Sequence, residues 1–120
     1  MLCERKLREG LNRKAAAYEL AQEYAKEVLK HFKPYAIMLY GSYYDGLPGE
    51  WDEINIAIAM NNYEGNRFED ASKLSSLVNN ISFYIKPRLI ASSNGRTNSE
   101  ARQILENCEI LYHSEREVLA

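Results

Sequence analysis

Two short features of this 120-residue chain have the makings of a phosphate and metal site. Gly41-Ser42 closes the apolar run Tyr35–Tyr40, and ten residues, Tyr43 to Asp52, separate that pair from Glu53. From there the chain alternates: Glu53, Asn55, Ala57 and Ala59 share one side, and Ile54, Ile56, Ile58 and Met60 the other. A glycine at the mouth of a strand lets backbone N–H groups approach a phosphate with no Cβ in the way. A serine beside it adds a hydroxyl donor. Two carboxylates at i and i+2 on a following strand would project together and could hold a Mg²⁺ ion against the phosphate. Phosphoryl and nucleotidyl transfer need those parts, since the protein contributes positioning and charge stabilisation. Here the pair is Glu53 and Asn55, which supplies one charge and one neutral amide. Read without the spacing, Gly41-Ser42 is a plain strand-end turn, and Glu53/Asn55 the polar face of an ordinary strand.

The elements that would position these residues follow from hydrophobic periodicity. Ala17, Leu20, Ala21, Tyr24, Ala25, Val28 and Phe32 make one apolar stripe, so Arg13–Phe32 is expected to be a helix, capped by Asn12 and ended before Pro34. Residues 1–12 form an arm or short helix that Gly10 interrupts, 13–113 the domain, and 114–120 a tail. Tyr35–Tyr40 is apolar throughout, as in a strand covered on both faces. A second helix is expected over Phe68–Val78, its inner face built from Phe68, Ala71, Leu74, Ser75 and Val78. Ile81–Ile85 and Arg88–Ala91 are strand-like around Pro87, which demands an edge or a bend. Ser99–Asn107 is a third helix, with Asn98 or Ser99 as its cap, and Ile110–Tyr112 a last strand or an extended tail. The fold class is therefore α/β (α+β), a small mixed sheet with helices packed on one face.

Composition narrows the function classes. An apolar fraction of 46% supports one core, and a net charge of −2 gives no general attraction to nucleic acid. No apolar run is long enough for a membrane span, and the charged opening is unlike a signal peptide. Cys3 and Cys108 have no metal-type spacing and fit free thiols in a reducing, cytoplasmic setting. Lys86, Arg88, Arg67, Lys73, Arg96 and Arg102 are solvated charges by default and a phosphate-binding patch in the minority reading. His31 suits a helix C-terminus without further role.

Taken together, the segments have a family likeness. LYGSYYDGLPGEWDEINIAI resembles the signature of the minimal nucleotidyltransferases, within the DNA polymerase beta-like superfamily: an apolar strand, Gly-Ser, a spacer of this length, and an Asp-x-Asp strand. ISFYIKPRLI resembles that family's later strand, which supplies a third carboxylate, and ARQILENCEILYH its closing segment. The likeness spans Lys14 to Tyr112. It implies a nucleotidyltransferase fold, with Gly41 and Ser42 at the nucleotide phosphates and the three catalytic, metal-binding aspartates falling on Glu53, Asn55 and Ser82. None of these is an aspartate, so no metal or cofactor is expected. Glu53 and Asp52 are the ligands if there are any. Moving Asp52 into the first slot puts Ile54 in the second and inverts the strand.

The resemblance thus implies a weak or inactive nucleotidyltransferase kept as a binding or regulatory, antitoxin-like subunit. Its expected partners are a HEPN-type helical protein or a second copy, and a nucleoside triphosphate. One alternative is an active Mg²⁺- or Mn²⁺-dependent enzyme that transfers a nucleoside monophosphate to a protein or small-molecule hydroxyl. Another is a homo-oligomeric interaction module using Tyr43, Tyr44 and Trp51 as its contact surface.

Overall fold

The computed structural model describes residues 2–46, 48–49, 52–61, 63–91 and 99–114, with backbone alone for 2–7. Trp51, Arg96, Asn98, the side chain of Cys3 and the tail beyond Ser114 therefore lie outside the described residues. The elements run α1 (Leu2–His31), β1 (Ala36–Tyr40), α2 (Ser42–Asp45), β2 (Ile54–Met60), α3 (Arg67–Val78), β3 (Ile85–Ala91), α4 (Ser99–Glu106) and β4 (Glu109–His113). The four strands form one mixed sheet in the order β3-β2-β1-β4. β1 pairs antiparallel with both β2 and β4, while β2 and β3 run parallel, joined through α3. No helix among the described residues is long and apolar enough to cross a membrane.

The mixed sheet meets the expectation, and two buried clusters show how it is covered. Ile37, Leu39, Ile54, Ile56, Ile58, Met60 and Ile85 pack against Ala17, Ala21, Tyr24 and Val28 of α1 and Leu74 and Val78 of α3. Ala36, Met38, Ala57, Ala59 and Ile90 meet Ala101 of α4 on the other face, with Ile104 and Leu105 packed alongside. Helices therefore lie on both faces, and the single covered face expected from sequence is corrected. The cause is visible in β1: both parities are apolar, and each must be buried. Small alanines on the second face let the short helix α4 approach closely.

Three local expectations also change. The first helix does not start at Asn12 but runs unbroken through Gly10. An internal glycine costs roughly 1 kcal/mol, which the packed stripe farther along the helix outweighs. In α3 the inner face is Leu74 and Val78, while Phe68 is 82% exposed and Ala71 and Ser75 face solvent. The helix is rotated because Tyr24 and the β-sheet select its later turns. Residues 81–84 are not strand: the N–H groups of Ile81 and Ser82 both donate to the Val78 carbonyl, so the turn that ends α3 extends to Ser82. Pro87 does lie on an edge strand, as its missing N–H requires.

Tyr24 joins the first two helices. Its ring is fully buried, and its hydroxyl donates to the Leu74 carbonyl at 2.7 Å. Tyr24→Phe removes this buried hydrogen bond and should lower stability by about 1–2 kcal/mol in urea denaturation. Burial also pushes the Tyr24 phenol well above its ordinary pKa. A raised folded-state value means the contribution is complete below the unfolded-state pKa of about 10 and is lost as pH rises past it. Wild type should therefore lose stability above pH ~10 more steeply than Tyr24→Phe.

Candidate functional site

β1 ends at Tyr40, and the chain turns at Gly41 with φ of 83° and ψ of −148°. That combination belongs to glycine, because a side chain there meets its own backbone. The turn feeds directly into α2, whose Tyr44 and Asp45 N–H groups both donate to the Gly41 carbonyl at 2.8 Å. Gly41 also lies against β2: a Cβ at this position would come within 2.8 Å of the Asn55 amide nitrogen. The antiparallel ladder explains the meeting, since it sets Tyr40 opposite Asn55. Gly41 and Asn55, far apart in sequence, thus share one corner of the sheet.

The segment after α2 is tied down from the opposite side. Arg13 donates to the Pro48 carbonyl at 3.2 Å, and Lys14 to the Tyr44 carbonyl at 3.0 Å. Tyr43 is buried in the main core, 6% exposed. Burial raises its pKa, the nearby Asp52 carboxylate and the Tyr84 phenol add to the shift, and Arg13 opposes it. Tyr43 therefore anchors α2 in the core. Asp52 has a local duty, accepting the Gly49 N–H at 2.7 Å. That bond ties one Asp52 carboxylate oxygen to the backbone.

Along the second face of the sheet, α4 covers the part built from Met38, Ala57 and Ala59, and Tyr40 and Asn55 at the other end are half-buried. Glu53 is exposed just ahead of β2. On β3, the parallel register sets Lys86 beside Asn55. Paired residues in neighbouring strands project to the same face, so Lys86 and Asn55 share it. Ser82 stands three residues ahead of β3, its hydroxyl accepting the Tyr84 N–H at 3.3 Å. It belongs to no ladder pair. The residue next to Asn55 is a lysine, and the aligned Ser82 is not in the strand at all. Arg88, two residues farther along β3, pairs with Glu100 of α4. Ahead of β3, the Tyr84 carbonyl accepts the Ile54 N–H at 2.8 Å, and the rings of Phe83 and Tyr84 lie 5.9 Å apart.

Comparison of the chain with known protein families, with curated proteins and with solved structures finds no match. The chemistry of this corner must be judged from its own residues.

Among the described residues, no three carboxylate, histidine or cysteine side chains converge as a ligand set. Glu53, two residues ahead of Asn55 in the chain, and Lys86, beside Asn55 in the strand register, carry opposite formal charges. Mg²⁺ gives up water reluctantly and needs anionic oxygens to do so. A neighbouring ammonium opposes its entry by Coulomb repulsion.

Among the described residues, two grooves lie elsewhere. One, of about 500 Å³, opens at the far end of the sheet between Phe32, Tyr35, Asn61 and Tyr112. The other, of about 460 Å³, runs between α1 and the sheet edge, lined by Leu11, Tyr18, Tyr43 and Glu109. Neither contains Asn55 or Lys86, and neither gathers groups for acid–base or nucleophilic work.

The sequence reading missed Lys86 as a partner of Asn55 and Phe83 as an exposed aromatic. A signal was available for the first. Lys86 and Arg88 flank Pro87, and an edge strand with its proline facing out must direct those two side chains to one face.

Proposed function

We propose that this chain is a nucleotidyltransferase-like domain without transferase activity, retained as a binding or regulatory subunit. One observation carries the reading. The Gly41 turn closes on Asn55, the position of the family's second aspartate by resemblance, and Asn55 lies between Tyr40 and Lys86, with no group of three ligating side chains among the described residues. The arrangement keeps the layout of a strand-end phosphate turn facing a metal-binding strand. It lacks the charge that such a strand needs.

On this reading the protein acts in the cytoplasm by occupancy instead of turnover. A helical HEPN-type protein, held inactive as in a toxin–antitoxin pair, is the partner that the resemblance implies. Incubation with each radiolabelled nucleoside triphosphate and Mg²⁺ or Mn²⁺, with and without such a partner, should give no labelled product and no pyrophosphate. Incorporation that disappears in Glu53→Gln would overturn the proposal and establish an active enzyme.

A further inference from the structure

The two rims of the sheet are built differently, and the difference points to a partner. We infer that β4 is the pairing strand of a homodimer, in which two copies join their sheets antiparallel, β4 against β4.

A strand at the rim of a sheet offers a row of backbone N–H and C=O groups to any second strand, and proteins guard such rims with proline, lysine and other charges. β3 is guarded: Pro87 removes a donor, and Lys86 and Arg88 on either side of it are exposed. β4, at the opposite rim, is Glu-Ile-Leu-Tyr-His and has neither proline nor lysine. Its one irregularity is Leu111, an extra residue between the Ile37–Tyr112 and Met38–Ile110 pairs, which bends the strand without placing a charge on it. Ile110, Leu111 and Tyr112 are only half-buried, although Leu111 and Tyr112 pack against the main core.

The sequence of the strand selects a second copy as the occupant. Laid antiparallel against itself in full overlap, β4 sets the Glu109 carboxylate opposite the His113 imidazole at both ends and Ile110 opposite Tyr112, with Leu111 on the two-fold axis. Acid meets base and apolar meets apolar, which is the self-complementarity that a two-fold interface requires. β3 laid against its own copy about Pro87 would set Lys86 opposite Arg88, like charge against like.

The first helix supplies a separate observation. Its exposed large apolar residues, among those described, are Leu11 and Leu29, 52% and 38% exposed. They sit about five turns apart, so they lie on one side of the helix. That side borders β4: Leu11 lines the groove that Glu109 also lines, and Leu29 the groove that Tyr112 and Ser114 line. A two-fold axis through Leu111 carries the Leu11 end of one copy toward the Leu29 end of its partner, so both exposed leucines come to flank the new contact. A short strand with one helix flank is a modest interface, and a dissociation constant of about micromolar order is expected.

Sedimentation velocity of the full chain, from micromolar to sub-millimolar concentration, tests the inference together with amide hydrogen exchange over the same range. Expected is a monomer–dimer equilibrium in which the β4 amides exchange more slowly as the dimer forms. Glu109→Lys should weaken dimerisation roughly tenfold, since it replaces two cross-strand acid–base pairs by lysines facing imidazoles. Glu109→Lys/His113→Glu should restore it by reversing both pairs. Glu109 is exposed, and circular dichroism would verify that the variants fold. If the double variant does not fold, Glu109→Lys and the exchange data still decide. A monomer at every concentration would overturn the inference, and β4 amides protected equally throughout would show that the chain covers its own rim. A dimer that leaves β4 exchange unchanged uses another surface and overturns it as well. A dimer indifferent to Glu109→Lys, or a folded double variant that stays monomeric, would overturn the antiparallel register. Each of these outcomes leaves the inactive-enzyme reading untouched; only nucleotide turnover bears on that.

Discussion

A triple substitution, Glu53→Asp, Asn55→Asp and Lys86→Asp, should create a divalent-metal site at the Asn55 corner. The reasoning is electrostatic. Glu53 and Lys86 carry opposite formal charges, and Asn55 carries none. The three substitutions replace that neutral set by three carboxylates on adjacent strands, two of them side by side in the Asn55–Lys86 register. Each unit charge about 4 Å from an ion is worth roughly 4 kcal/mol at an effective dielectric of 20. Even after heavy discount for solvent and for repulsion among the carboxylates, affinity for Mn²⁺ should rise by roughly a thousand-fold. The variant without metal should be less stable than wild type, because like charges placed side by side repel. Mn²⁺ should restore it, since a ligand that binds the native state raises the melting temperature. The double variant that keeps Lys86 should gain much less. A thermal-shift series across wild type, double and triple variants, with and without Mn²⁺, gives the answer. Equal metal responses in all three would mean that charge at this corner does not govern metal binding.

The second large effect is a loss. Gly41→Ala forces a side chain into a backbone state with φ of 83° and drives its Cβ to 2.8 Å from the Asn55 amide nitrogen. Strained backbone of this kind costs on the order of 1–3 kcal/mol, and the displaced amide adds to it. A total near 3 kcal/mol should lower the melting temperature by roughly 10 °C in a domain of this size. The double variant Gly41→Ala/Asn55→Ala removes the collision but not the dihedral strain, so it should recover only part of the loss. Full recovery would place the whole cost in the contact, and an unperturbed Gly41→Ala would contradict the geometry of the turn.

Why some of this was legible in the sequence and some was not comes down to the range of the forces involved. β1 declared itself because Ala36 to Leu39 are all apolar, and a strand with no polar face has to be covered twice. β2 declared itself through strict alternation from Ile54 to Met60, and Pro87 marked its strand as an edge. Gly41 next to Ser42 foretold a special turn, and the turn has the positive φ that only glycine adopts at little cost.

What the sequence could not convey is how far a helix end runs. Counting residues along ISFYIKPRLI put the third site position at Ser82. The turn ending α3 takes up the chain as far as Ser82, and the strand begins at Ile85, so Lys86 arrives beside Asn55 instead. Register depends on how α3 docks on the sheet, a tertiary matter that no local pattern encodes. The same docking turned Phe68 outward although its spacing with Leu74 looked apolar-facing. Gly10 misled because its intrinsic penalty is small against the cooperativity of a thirty-residue helix.

The central claim is that the corner between Gly41, Glu53, Asn55 and Lys86 cannot hold the divalent ion on which nucleotide transfer depends. Titration of the wild-type chain with Mn²⁺, followed by the loss of the free-ion paramagnetic resonance signal, addresses it directly. The expected result is no saturable uptake below about millimolar ion, with or without a nucleoside triphosphate present. One ion bound per chain at micromolar concentration, and lost in Glu53→Gln, would contradict it.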